Sequence, residues 1–171
     1  MLFHMKNTEK IFTSVVQSYQ KPLYWYIRRL VVSHEDSEDI LQETFIRAFK
    51  NLWQLRDESS LRPWLYRIAT GEISRFFRKN KIQMDSMEEV SPYLLEQLMD
   101  SSYVDYTKEA EINLQKALLT LSPQQRTVFC LRYYDEMDYR EISYITGSTE
   151  STLKVAYHNA RQKVEKYLTN E

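Results

Sequence analysis

Two glycines in 171 residues leave this chain few places for a tight turn. Hairpin-linked sheets need positive-φ residues at many turns, and four prolines do not make up the shortfall. The scarcity points to helices, and the apolar spacing agrees. Over residues 8–31, Ile11, Val15, Tyr19, Leu23, Tyr26, Ile27 and Leu30 recur at helical intervals, with Pro22 expected to break the stretch or start a new first turn. From Ser33 to Trp53, Leu41, Phe45, Ala48 and Leu52 form an inward stripe that Ile40 and Phe49 widen. Residues 54–60 read as a polar loop, followed by a helix from about Pro63 to Asn80.

The second half reads as shorter helices with explicit boundaries. One begins near Tyr106. Ser122-Pro123-Gln124-Gln125 is a capping box that opens a helix running to about Tyr134. Asp138-Tyr139-Arg140-Glu141 opens another, which Gly147 should close in the left-handed conformation, and Ser148 is expected to cap the last helix. Leu153, Tyr157, Ala160, Val164 and Leu168 give that helix one apolar face. A short helix, a glycine turn and a longer helix make a helix-turn-helix over residues 138–168. The expected fold is all-α: two small helical domains, residues 1–81 and 108–171, joined by an acidic linker over 82–107. Tyr93-Leu94-Leu95 and Leu98-Met99 have the composition for a short helix within that linker.

Charge divides the chain in the same places. Residues 1–83 hold 14 Lys and Arg against 9 Asp and Glu, residues 84–111 hold one against eight, and residues 112–171 hold eight against seven. A single cysteine, Cys130, excludes an intramolecular disulfide and fits a buried position in a reducing compartment. No apolar run approaches the ~18 residues of a membrane span, and the N-terminus lacks a signal-peptide core. Membrane insertion is therefore not expected, and a cytoplasmic location is.

Three constellations carry potential function. In the helix-turn-helix, Ser148, Thr149, Glu150, Ser151, Thr152 and Lys154 would face base edges in a major groove, with His158 and Arg161 near phosphates; the competing reading is a plain helical hairpin with a solvated face. Arg75-Phe76-Phe77-Arg78-Lys79-Asn80-Lys81, after Trp64 and Tyr66, interleaves cations with aromatics, which suits unpaired bases better than duplex. The competing reading there is a helix end whose basic residues complement its own dipole. Glu35-Asp36-Ser37-Glu38-Asp39, leading to Gln42 and Glu43, is either a solvated face or a dock for a basic partner. Neighbouring carboxylates on one helix do not converge as catalytic pairs do, and His4, His34 and His158 lack metal-ligand spacing. No catalytic residues, metal or cofactor are expected.

In this order, these residues resemble an extracytoplasmic-function sigma factor of the primary bacterial sigma family. Asp36-Ser37-Glu38-Asp39-Ile40-Leu41-Gln42-Glu43-Thr44-Phe45 is similar to that family's polymerase-binding helix, and Pro63-Trp64-Leu65-Tyr66-Arg67-Ile68-Ala69 to its promoter-melting segment. Leu121-Ser122-Pro123 and the helix-turn-helix resemble its upstream-element domain. Thr152-Leu153-Lys154-Val155-Ala156-Tyr157-His158 resembles Bacteroidetes-type members. The resemblance implies that Asp36, Asp39, Gln42, Glu43 and Phe45 dock on core RNA polymerase. It assigns Arg62, Trp64, Tyr66, Arg67, Arg75, Arg78, Lys79 and Lys81 to the melted −10 promoter element, and Ser148, Thr149, Glu150, Ser151, Thr152, Lys154, His158 and Arg161 to the duplex −35 element. An anti-sigma factor is the other implied partner. Two positions depart from the pattern: Gly71 stands where many members have Asn, and Arg75 where many have Asp. The last helix is also poor in arginine, with Ala156 and Asn159 at positions often basic. A stand-alone helix-turn-helix regulator would explain residues 112–168 and leave 33–81 without a role; a helical protein adaptor would leave the 78–81 cluster unexplained.

Overall fold

A computed structural model describes residues 2–80, 94, 96–98 and 109–169, with side chains from residue 7 onward; these residues are helical and turn structure with no strand. Helix α1, Leu2–Val31, runs 30 residues and passes through Pro22 without ending, contrary to the expected break. Pro22 is exposed, while Leu23, Tyr26, Ile27, Leu30 and Val31 beyond it are buried. That burial, at ~1.5–3 kcal/mol per large side chain, offsets the ~3 kcal/mol of a proline inside a helix. The chain then reverses in two residues, because Val32 adopts φ 73. A buried β-branched residue in the left-handed region stores ~1–3 kcal/mol of strain, held by the packing around it.

Ser33 caps helix α2, His34–Lys50, accepting from the Asp36 backbone N–H at 3.3 Å. Ser37, Ile40, Leu41, Thr44 and Ala48 form its buried face. Two short 3-10 turns, Leu52–Gln54 and Glu58–Ser60, lead to helix α3, Leu61–Lys79, which buries Trp64, Leu65, Tyr66, Ala69, Glu72, Ile73 and Phe77. The Arg47 side chain lies 2.5 Å from the Glu72 carboxylate and ties α2 to α3. Of the linker, Leu94 and residues 96–98 are helical, with Leu94 fully buried; Tyr93, Leu95, Met99 and Tyr106 lie outside the described residues.

In the C-terminal half, helix α4, Glu109–Leu119, precedes helix α5, Pro123–Phe129, where the Ser122–Gln125 capping box is complete in both directions. Helix α5 continues as a π turn, Cys130–Tyr134, reaching the end the sequence indicated with one wider turn. Arg126 is buried and donates to the carbonyls of Leu118 and Leu121 at 3.0 and 3.1 Å, closing the C-terminus of α4. Desolvation lowers its pKa to about 10.

Helix α6, Tyr139–Thr146, is capped by Asp138, and Gly147 follows at φ 78 as the sequence required. Helix α7, Glu150–Thr169, buries Leu153, Ala156, Ala160 and Val164. Thr149, not Ser148, caps it, its hydroxyl accepting from the Thr152 N–H at 3.3 Å. Ser148 is held inside the turn instead, its carbonyl accepting from Ser143 Oγ at 2.7 Å. Buried residues of both halves form one continuous core.

Candidate nucleic-acid and protein interfaces

The α2 face is built by helical spacing alone. Asp39, Gln42 and Glu43 are exposed, Asp36 is half-buried, and none is in an ion pair among the described residues. Phe45 turns partly inward and meets the Phe12 ring edge-on at 6.2 Å. The apolar groups that reach solvent are Ile46, Phe49 and Trp53, the last 79% exposed. Phe49 therefore leaves the inward stripe to which its spacing assigned it. Gln42, Ile46, Phe49 and Trp53 follow one another at intervals of four, three and four, a signal that was readable as a second, outward stripe. Between α2 and α3 runs a groove of about 410 Å³, lined on one side by Asp36, Asp39 and Glu43 and on the other by Arg75 and Lys79.

The α3 residues divide sharply. Arg67, Arg75, Arg78 and Lys79 are exposed. With Trp64, Gly71, Arg47 and Tyr144, the three arginines line a cleft of about 570 Å³. An added Cβ at Gly71 would meet nothing within 4 Å, so the glycine is not demanded by close packing. Tyr66 is 2% exposed, its ring 5.1 Å from that of Tyr26 and its hydroxyl donating to Asp135 Oδ1 at 2.7 Å. Burial, and then the nearby Asp135 charge, raise its phenol pKa well above the ordinary value. Arg62 donates to the Asp135 carbonyl. Lys81 lies outside the described residues.

On α7, Thr149, Glu150, Ser151, Thr152, Lys154, His158 and Arg161 are all exposed along one side. Ser148 is half-buried and accepts from Gln124 Nε2 at 3.3 Å. Lys154 Nζ rests 5.7 Å from the Tyr139 ring centroid, and Arg161 pairs with Glu165 at 3.2 Å. Val155, which the sequence reading passed over, is also exposed, and an exposed methyl-bearing side chain on this face is chemically able to meet a thymine methyl. Ala156 is buried, so it is not an outward position from which a basic side chain was lost. The described residues contain no cluster of three or more His, Cys, Asp or Glu suited to a metal, and no helix long and apolar enough to cross a membrane.

Residues 15–82 match the family description Sigma-70 region 2, and residues 111–164 match Sigma-70, region 4. The chain is 32% identical over 169 residues to the RNA polymerase sigma factor YlaC of Bacillus subtilis, covering 96% of this chain and 95% of that protein. It is 28% identical over 172 residues to the ECF RNA polymerase sigma factor SigW of the same organism, covering 95% and 91%. In fold it is similar to the sigma factor RpoE solved with the anti-sigma factor NepR from Bartonella quintana, with TM-score 0.75, 22% identity, and 94% and 98% of the two chains covered. CnrH, solved with the cytosolic domain of CnrY, aligns with TM-score 0.69 and 20% identity over 95% of this chain and 90% of that one. The chain belongs to the RNA polymerase sigma factors of the sigma-70 family, in their extracytoplasmic-function class.

Proposed function

We propose that the chain works in the cytoplasm, without chemistry of its own, by binding core RNA polymerase and holding it to two promoter elements. The observation that carries this reading is the pairing of an exposed acidic face on α2 with a cation-lined cleft on α3, the two helices joined by Arg47 and Glu72. Asp39, Gln42 and Glu43, with Asp36 and Phe45 behind them, would meet a basic surface of the polymerase, and charge complementarity would speed and orient that encounter. Ile46, Phe49 and Trp53 extend the same face with apolar area.

Residues 1–81 form the polymerase and −10 domain, residues 82–107 the acidic connector, and residues 108–171 the −35 domain. Trp64 with Arg62, Tyr66, Arg67, Arg75, Arg78, Lys79 and Lys81 would receive the melted −10 strand. A base stacked on an aromatic face gains ~1–3 kcal/mol, enough to offset the few kcal/mol of unpairing. Ser148 to Thr152, Lys154, His158 and Arg161 would read or anchor the duplex −35 element. An anti-sigma factor is the further partner, by likeness to a sigma factor solved with such a protein, and the resemblance of the Thr152–His158 segment to Bacteroidetes-type members supports membership of that branch. A phylogeny of full-length relatives tests the branch. Run-off transcription with purified core polymerase on genomic promoter fragments tests the function. Protein-dependent initiation at a few fragments supports it, and absence of both initiation and core binding removes it.

A further inference from the structure

The turn before helix α7 and the buried face of that helix together fix which of its sides points outward. Gly147 turns the chain at φ 78, the Ser148 carbonyl accepts from Ser143 Oγ at 2.7 Å, and the Thr149 hydroxyl accepts from the Thr152 N–H at 3.3 Å. Leu153, Ala156, Ala160 and Val164 face inward and are buried. At about 100° per residue, the side opposite them carries Ser151, Val155, His158 and Gln162, with Asn159 beside Val155 one turn on. All five are exposed.

The cations of this helix stand to either side of that stripe. Lys154 and Arg161 lie on one flank, Lys154 Nζ 5.7 Å from the Tyr139 ring centroid and Arg161 paired with Glu165 at 3.2 Å. Lys163, on the other flank, donates to Gln125 Oε1 at 3.1 Å. The hydroxyls at the start of the helix serve one another, Thr149 Oγ1 lying 2.8 Å from Thr152 Oγ1 and 3.3 Å from Ser151 Oγ. At the centre of the face stand Val155, 60% exposed, and the amide of Asn159. A lone exposed valine on a surface means nothing by itself. Here it holds the middle of the side that a groove would receive, where arginine and lysine are absent.

Base edges in the major groove discriminate between these groups. The thymine 5-methyl is the apolar group displayed there, and a side-chain amide can accept from adenine N6 while donating to adenine N7. Arginine and lysine are the usual partners of guanine O6 and N7, and the outward stripe has neither. Along the helix axis, Val155 and Asn159 are separated by a rise of about 6 Å. That matches about two base steps at 3.4 Å each.

We propose that Val155 and Asn159 set the base specificity of α7 for adenine–thymine pairs, Val155 packing on a thymine methyl and Asn159 bonding adenine N6 and N7 about two pairs away. The inference rests on the duplex-reading role proposed for α7 above. The full-length chain assembled with core polymerase selects sites from duplexes randomised over the upstream element. The enriched site is then resynthesised with single thymines replaced by uracil, which removes the methyl, or single adenines by 7-deazaadenine, which removes the N7 acceptor. Affinity is read by competition for the unchanged chain, Val155→Ala and Asn159→Ala; both positions are exposed, and circular dichroism checks helix content. For the unchanged chain, uracil at one position should cost about fourfold and 7-deazaadenine at another about fivefold or more. Val155→Ala should abolish the first penalty and keep the second, and Asn159→Ala should do the reverse. Asn159→Arg should turn the preference at its position from adenine to guanine. Enrichment of no site removes the duplex-reading role and this inference with it. An enriched site whose penalties are absent, or persist in both alanine variants, overturns the inference and leaves the duplex-reading role standing.

Discussion

Helix α7 shows Glu150, Ser151, Thr152, Lys154, His158 and Arg161 to solvent along one side, while α3, of nearly equal length, buries Trp64 and Tyr66 and commits Arg62 and Arg67 to the other half of the molecule. Both helices are proposed to meet DNA, and both derive their inner faces from ordinary helical spacing. They differ in what lies against the outer face. A duplex-reading helix works by projecting side chains into a groove, so it needs only to be exposed. A surface for unpaired bases needs aromatic planes and cations together, and those same groups make a good seat for another domain. The fold therefore covers part of the face with richer binding chemistry, at Trp64 and Tyr66, and leaves Arg75, Arg78 and Lys79 exposed.

The comparison breaks most readily at Arg126, which lies under the exposed helix rather than on it. Arg126→Ala leaves the Leu118 and Leu121 carbonyls without their charged donor in a buried site, and the expected loss is about 3 kcal/mol in urea unfolding. If only the C-terminal half loses stability and α1 to α3 melt unchanged, the two halves are independent units. A single shifted transition means the interface between the halves couples them.

Next in size, Asp39→Ala and Gln42→Ala should each lower core-polymerase affinity about thirtyfold, consistent with removing one partner of a charged or polar contact. Both side chains are exposed, so the melting temperature should not move. Duplex binding by the free chain should also be untouched; if it falls with polymerase affinity, α2 is not a separate surface.

Smaller effects should separate the two DNA faces. Lys154→Ala is expected to weaken duplex binding about fivefold and reduce the salt slope by about 1, leaving binding of a single-stranded oligo-dT probe as it was. Losing equally on both probes would show that one surface serves both. Finally, Gly71→Ala should stabilise α3 by up to about 1 kcal/mol, since a Cβ there meets nothing. Should that variant lose transcription while gaining stability, the open space at Gly71 belongs to the nucleic acid.

The readable part of the fold was its local chemistry. Ser122 and Asp138 cap the helices they precede, and Gly147 takes the left-handed turn, because each depends on groups within about four residues. Cys130 is buried, and burial pushes its thiol up to about 12, in line with its apolar neighbours in sequence. Errors began where packing decides between local options. Pro22 looked like a break and is carried through by the buried residues after it. Phe49 fits the inward stripe of α2 by spacing, yet it lies far enough around the helix to be 46% exposed, with its contact to the Phe12 ring at 5.1 Å on the inner side. Ser148 and Thr149 are both competent caps, and the Ser143 bond to the Ser148 carbonyl settles which one acts.

The sequence by itself determined where most helices start and stop, which residues could bind nucleic acid, and which family the chain resembles, since these depend on residue type and short spacing. Only the tertiary structure decided which candidates are free to act. Arg62 and Tyr66 meet Asp135 across 73 and 69 residues. No periodicity encodes a pairing of that range; it arises because α3 and the turn after α5 bury their surfaces against each other, and their polar groups must then find partners there.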